Sequence, residues 1–181
     1  MPLNADLSFN KLPAHAREAV ARGMRAPRVV ALAAGQVLFR FASSDSPPSL
    51  WAAGAWWLYE HDYRLIVEQE RLSRERYGAD GLTLGWLGRV ATAVQQSWSR
   101  ADVVVKAVVL QEILALAGRG RTQYKERGPN GFLYTMAGWP HVQQIFIPNI
   151  GDRQGRTQTG YAALHVLRQK RVDSQQIYEK D

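Results

Sequence analysis

The 181-residue sequence contains no cysteine, which excludes a disulfide framework, a thiolate nucleophile and thiolate metal ligands. It also lacks an apolar run long enough to span a membrane. Residues 1–12 have no apolar segment of the kind that a secretory signal peptide carries. We therefore expect a chain that acts in the cytoplasm or leaves the cell by a route independent of a signal peptide.

Several catalytic signatures are missing as well. There is no Walker A loop, no dinucleotide-binding glycine fingerprint and no Gly-x-Ser-x-Gly elbow. The 4 histidines are not spaced as metal ligands, and the single neighbouring pair His61 and Asp62 is weak evidence for a metal. We predict no metal site. A Ser-His-Asp triad stays open, because its members need not be close in sequence.

Acidic residues are fewer than basic ones, so the chain carries a surplus of positive charge. The chain has 23 Lys and Arg against 16 Asp and Glu, a net charge of +7. This charge favours an anionic partner such as nucleic acid or a nucleotide phosphate. The basic residues are spread along the whole chain, however, and no nucleic-acid-binding motif is legible.

The composition, with 46% hydrophobic and 22% charged residues, is typical of a folded protein of one domain, residues 1–181. Hydrophobic periodicity predicts an α+β fold with its helices mainly in the N-terminal half. The predicted helices are 13–26, 60–77, 84–98 and 161–171. The predicted strands are 37–41, 103–110, 143–147 and 175–178, and residues 54–59 are predicted to form a short strand or a turn. Polar loops are predicted at 43–49, 117–131 and 151–160.

Arg40 lies inside the apolar strand at 37–41. A guanidinium in such a strand is costly unless an anion or a carboxylate pairs with it. One interpretation is a ligand anion, and the other is an internal partner, Asp45 or Glu60. Nearby, Trp56 and Trp57 suit either the core or a stacking surface for a flat ring.

Four segments together suggest a family. Arg40 and Phe41 are followed by Gly54-Ala55-Trp56-Trp57, then by Gly118 to Gln123, and last by Gly138 to Pro148, which includes Gln143 and Gln144. With these segments the chain resembles the ADP-ribosyltransferase superfamily, and within it the toxin-like NAD glycohydrolases of the necrotizing-toxin type.

The resemblance implies a small, mostly antiparallel split sheet that clasps NAD as the substrate. It gives Arg40 the anchoring and catalytic role, and Gln143 or Gln144 the late catalytic role. Gln123 competes for that late role. The residues that would bind the cofactor are Arg40, Phe41, Trp56, Trp57 and Gln123. Because Gln143 and Gln144 point to opposite sides of a strand, only one of them can face a given cleft.

The late strand departs from the transferase pattern because it has no Glu, which favours hydrolysis over transfer to a protein or nucleic-acid acceptor. A toxin of this kind implies a cognate immunity protein as partner. Two alternatives stay open. One is a nucleic-acid-binding or nucleic-acid-modifying protein that uses the basic residues 118–127. The other is a non-catalytic interaction module whose aromatic residues form the partner surface.

Overall fold

The computed structural model describes residues 2–95, 97–127, 133–150 and 163–173. It contains three α-helices, α1 (Ala14–Gly23), α2 (Glu60–Tyr77) and α3 (Leu84–Thr92). The strands are β1 (Met24–Leu32), β2 (Val37–Ala42), β3 (Trp56–Tyr59), β4 (Val103–Val109), β5 (Ile113–Gly120), β6 (Gln123–Arg127), β7 (Leu133–Met136), β8 (Gln143–Phe146) and β9 (Leu164–Arg171). The predicted α+β class, with helices in the N-terminal half, is confirmed.

Seven strands form one sheet in the order β1-β5-β8-β3-β2-β4-β9, and β6 and β7 form a second, two-stranded sheet. All the strand pairs in both sheets are antiparallel. Strands distant in sequence are therefore neighbours in space. In particular, β8 lies between β5 and the central strand β3 of the large sheet.

The large sheet has two differently covered faces. On one, which we call the helix face, α2 and α3 pack against Phe39, Leu58 and Val104, while α1 packs nearer to β5 and β8. On the other, the loop face, residues from the 43–55 connection pack against a core that includes Trp57 and Ile145. Every strand side chain belongs to one of these faces, because successive side chains alternate.

Several boundaries agree with the sequence, and others do not. Helix 60–77 and strands 37–41, 103–110 and 143–147 are confirmed to within a residue or so. The helix predicted over 13–26 ends at Gly23, and the one over 84–98 ends at Thr92, where Ala93 takes a left-handed conformation with φ 54°. The loop predicted over 117–131 is wrong for residues 117–120, which belong to β5, and for residues 123–127, which form β6.

The helix predicted over 161–171 is wrong for the residues that the structure describes. They form β9, which pairs along its length with β4. A short segment with leucines three residues apart fits a helix locally, but pairing with the sheet outweighs that preference. The predicted loop 151–160 and strand 175–178 lie outside the described residues. Among the described residues, no helix is both long enough and apolar enough to cross a membrane.

Candidate functional site

Three of the segments singled out in the sequence lie on adjacent strands. Arg40 is on β2, Trp56 and Trp57 are on β3, and Gln143 and Gln144 are on β8. Phe39 of β2 pairs with Leu58 of β3, and Leu58 in turn pairs with Gln144 of β8. The fold thus brings together residues that are about a hundred positions apart in sequence, in the middle of the sheet.

The alternation of side chains decides which of these residues share a face. Leu38, Trp57 and Ile145 belong to the core cluster on the loop face. Arg40 is two residues from Leu38 and Gln143 is two residues from Ile145, so both lie on the loop face. Gln144 lies on the helix face, and of the two late glutamines only Gln143 is on the same side of the sheet as Arg40.

Arg40 is held by backbone oxygens. Its Nε donates to the carbonyl of Trp51 at 2.7 Å and its Nη1 donates to the carbonyl of Trp56 at 3.4 Å. A Cβ at Gly54 would lie 1.8 Å from Nη1, so the guanidinium packs directly on this glycine. Burial lowers the pKa of Arg40 to about 10, which leaves it cationic at neutral pH.

The predicted carboxylate partners of Arg40 are engaged elsewhere. Asp45 forms an ion pair with Arg100 at 3.0 Å, and Glu60 forms one with Arg64 at 2.9 Å. The interpretation of an internal ion pair for Arg40 is therefore wrong. The contacts of Arg40 fasten the connection between β2 and β3, and its contact with a cofactor stays a prediction.

Gln144 and Gln123 bind backbone carbonyls away from the loop face. Gln144 is 4% exposed, and its Nε2 donates to Thr92 at 2.6 Å and to Gly23 at 3.3 Å. The Nε2 of Gln123 donates to Arg22 at 2.9 Å and to Arg121 at 2.8 Å. The bonds to Arg22, Gly23 and Thr92 satisfy carbonyls at the C-terminal ends of α1 and α3, which is a structural role.

The aromatic candidates pack within the protein. Trp57 is buried, and its Nε1 donates to the carbonyl of Gly54 at 2.9 Å. Trp56 meets Phe146 edge to face, with ring centroids 5.1 Å apart, on the helix face. Phe41 also lies on that face, with its centroid 6.1 Å from that of Tyr63. The side chains of Phe41 and Trp56 therefore lie on the opposite face of the sheet from the side chain of Arg40, which contacts Trp56 only at its backbone carbonyl.

Gln143 is the centre of a polar cluster at the end of β3 and β8. Its side-chain Oε1 accepts from Nη2 of Arg28 at 3.2 Å, and its backbone N–H donates to Oδ2 of Asp62 at 3.2 Å. Arg119 is its partner on β5. The Nε of Arg119 is buried and has no hydrogen-bond partner among the described residues. We call Arg28, Tyr59, His61, Asp62, Arg119 and Gln143 the Gln143 cluster.

The carboxyl of Asp62 is the buried member of this cluster. Its side chain is 0% exposed, and its Oδ1 lies 3.5 Å from Nε2 of His61, whose side chain is 72% exposed. Burial raises the pKa of Asp62, while the Gln143 N–H and His61 act in the opposite direction. Burial also raises the pKa of Tyr59, which Arg28 lowers and Asp62 raises further. Tyr59 therefore feels the charges of both groups.

Sequence reasoning missed most of this cluster. Arg28 lies on β1, and no motif in the sequence points to it. Asp62 was considered only for metal binding with His61, and Arg119 only as part of a basic loop. The usable signal was a carboxylate placed directly after the aromatic strand. Its relation to Gln143 depends on the register of β3 and β8, which a single sequence does not reveal.

Within the described parts of the chain, no group of three or more His, Asp or Glu side chains comes together in the manner of a metal site. The absence of a metal stays a prediction of the sequence. The chemistry available at the Gln143 cluster is that of cationic guanidiniums, an amide and a buried carboxyl.

Comparisons with known proteins identify no family. No protein-family model and no curated protein matches the chain. A solved structure of Rhs1-CT in complex with its cognate immunity protein RhsI1 has 14% sequence identity and a TM-score of 0.46, covering 83% of this chain and 84% of that one. A structure of Tse6 in complex with Tsi6 has 13% identity and a TM-score of 0.41, covering 88% and 86%. These similarities are too low to transfer an activity or a partner.

Proposed function

We propose that this chain is a toxin-like enzyme that hydrolyses NAD at the bond between nicotinamide and ribose. One observation carries the proposal. The segments that resemble NAD glycohydrolases form the adjacent strands β2, β3 and β8, and Arg40 and Gln143 lie on the same face of them.

The proposed reaction consumes water. The bond between C1′ of the ribose and the pyridinium nitrogen breaks, its electron pair leaves with nicotinamide, and C1′ passes through an oxocarbenium-like transition state. A water oxygen bonds to C1′ and releases one proton. The products are nicotinamide, ADP-ribose and H⁺. A reactive cation of this kind makes modest demands on a general base, which fits a late strand without Glu.

The Gln143 cluster supplies groups suited to this substrate. Arg28 and Arg119 flank Gln143, and a planar guanidinium matches a diphosphate through two parallel hydrogen bonds. An amide both accepts and donates, so Gln143 suits a ribose hydroxyl. Asp62 acts as a positioning residue, because its buried carboxyl holds the backbone N–H of Gln143.

Arg40 has a supporting role in this proposal. Its bonds to the carbonyls of Trp51 and Trp56 fasten the chain on both sides of Gly54, next to the β3 strand. The loop face near the Gln143 cluster is thereby held in one arrangement, as a site for an oriented reaction needs. The remaining Nη2 of Arg40 has the charge for the anchoring contact that the sequence predicts.

The proposal is tested by incubating the purified chain with NAD and measuring free nicotinamide and ADP-ribose. Hydrolysis predicts equal amounts of the two. Transfer predicts nicotinamide with ADP-ribose bound to an acceptor. Failure to release nicotinamide, together with DNA or RNA binding that weakens steeply with salt, would replace the proposal by the nucleic-acid alternative.

A matched pair of variants tests the anion site. We expect Arg28→Gln to lower kcat/KM for NAD by about tenfold or more, because it removes a charged hydrogen-bond donor beside Gln143. Arg17→Gln changes the same residue type at an exposed position of α1 and should leave the rate unchanged. Equal rates for the two variants would exclude Arg28 from the site.

The toxin-like part of the proposal has a cellular test. Expression of the chain in a bacterial host should lower the cellular NAD and arrest growth, and a cognate immunity protein is the partner that would relieve the arrest. The Gln143→Ala variant serves as the control, and we expect it to leave NAD and growth unaffected. Growth arrest by both proteins with NAD intact would indicate a different toxic activity.

A further inference from the structure

The helix face carries a cleft that the proposed function does not use. It lies beside α2 and α3 over β2, β4 and β9, on the opposite side of the sheet from Gln143. Its volume is about 300 Å³. Its walls combine aromatic, aliphatic and basic side chains, namely Phe39, Tyr63, Leu84, Val104, Lys106, Arg168, Lys170 and Val172.

Three cations meet at this cleft. Lys106 of β4 is paired with Arg168 of β9, and Val104 is paired with Lys170, so the cationic side chains come from neighbouring positions of two strands. Within the described part of the chain, none of the three lies within ion-pair distance of a carboxylate. Arginines of α2 differ, since Arg71 and Arg74 each pair with a glutamate. Like charges that meet without a counter-ion favour a bound anion.

The floor of the cleft is flat and apolar. The rings of Phe39 and Tyr63 are stacked, with centroids 4.0 Å apart and planes 6° apart. The Nζ of Lys106 lies 5.6 Å from the centroid of Phe39. Burial raises the pKa of Tyr63, the charge of Glu70 raises it further and the charge of Arg168 lowers it, so Arg168 and Glu70 both act on this residue. Aromatic rings beside cations suit a ligand that has a flat part and an anionic part.

We propose that this cleft binds a small phosphorylated metabolite of mononucleotide size. Its phosphate lies among Lys106, Arg168 and Lys170, and its flat ring lies against Tyr63. A volume of about 300 Å³ is at the lower end of the roughly 300–1,000 Å³ that ligand pockets span. It suits a mononucleotide and not the two nucleotides of NAD. This site is therefore separate from the proposed NAD site.

The test measures binding of AMP, adenosine and inorganic phosphate to the full chain by calorimetry. We expect AMP to bind at least about tenfold more tightly than either of the other two, because only AMP engages both the cations and the ring. Lys106→Gln and Lys170→Gln should each weaken AMP binding by about tenfold. Failure of AMP to bind, or adenosine binding as tightly as AMP, would overturn the proposal.

Two controls locate the binding. Arg171→Gln changes an exposed cation on β9 next to Lys170, but Arg171 pairs with Val103 of the loop-face core and does not line the cleft. It should leave AMP binding unchanged, and equal weakening by Arg171→Gln would show a general charge effect and overturn the site. Arg28→Gln should also leave AMP binding unchanged. Loss of AMP binding in that variant would move the ligand to the loop face.

Discussion

Gln144 joins the ends of two helices at one buried amide. Its Nε2 donates to the carbonyl of Gly23, the last residue of α1, and to the carbonyl of Thr92, the last residue of α3. Replacement by Leu keeps the size of the side chain but leaves both carbonyls without this donor. The cost of an unsatisfied buried group, and not any effect on a substrate, is the expected result.

We therefore expect Gln144→Leu to lower the free energy of unfolding by about 2 kcal/mol. Urea denaturation followed by tryptophan fluorescence measures this change. Gln111→Leu, at an exposed position, is the matched control and should change the stability little. The folded fraction of Gln144→Leu should still release nicotinamide from NAD. A fully stable but inactive Gln144→Leu would instead give this residue the late catalytic role.

Asp62 makes the stability depend on pH. Burial raises its pKa in the folded chain above the ordinary value of 3.8. The folded chain therefore holds the proton more tightly than the unfolded chain, and stability falls as the pH rises through the interval between the two pKa values. Asp62→Asn removes this titration and keeps an oxygen that can accept from the Gln143 N–H.

The free energy of unfolding of Asp62→Asn should match that of the wild type below the ordinary pKa of Asp, exceed it increasingly as the pH rises through the interval between the two pKa values, and then keep a constant excess. Denaturant titrations at several pH values measure this difference. A gap that is constant over this whole pH range, or that shrinks as the pH rises, would show that the carboxyl is not held at a raised pKa in the folded protein.

At the scale of elements, α3 approaches the sheet closely at Gly88. A Cβ at this position would lie 2.4 Å from Cζ of Phe41 on β2. We expect Gly88→Ala to lower the free energy of unfolding by about 1 kcal/mol, since overpacking outweighs the better helix propensity of alanine. Thermal and urea unfolding of the variant measure the change.

A double variant isolates this contact. In the Phe41→Leu background the ring is gone, so Gly88→Ala should cost less there than in the wild type, and the two changes should not be additive. Strict additivity would mean that α3 and β2 do not meet through these two residues.

The sequence predicts elements well where local signals decide them. Helix α2 ends at Tyr77 and is followed by Gly78, whose φ of 60° suits glycine, and the β-branched run of β4 is mostly buried. The helix predicted over 161–171 is wrong for the described residues. They form β9, because pairing with β4 is a long-range contact that outweighs helical spacing. Short sequence motifs point to Arg40 and Gln143. Arg28 and Asp62 come close to Gln143 only through the order and register of the strands, which the motifs do not reveal.

At the scale of the whole molecule, the large sheet separates two cationic sites. The side chains of Arg28, Arg119 and Gln143 lie on the loop face, and the cleft of Lys106, Arg168 and Lys170 lies on the helix face. Because the sheet stands between them, changes at one site should not alter the chemistry at the other.

This separation predicts independent effects in the two assays. Lys170→Gln should leave nicotinamide release from NAD unchanged while weakening AMP binding. Gln143→Ala should lower nicotinamide release and leave AMP binding unchanged. Measuring both quantities on both variants completes the comparison. Parallel losses in both assays would mean that one ligand site serves both, contrary to the separation of the faces.

Nicotinamide release by Gln143→Ala, compared with that by Gln111→Ala, tests the central claim most directly. We expect Gln143→Ala to lose at least about a hundredfold in kcat/KM, on the scale of losing a group that acts in the transition state, with its unfolding midpoint close to that of the wild type. Gln111→Ala should retain the wild-type rate. Full activity in Gln143→Ala, with the fold intact, would contradict a site on the loop face.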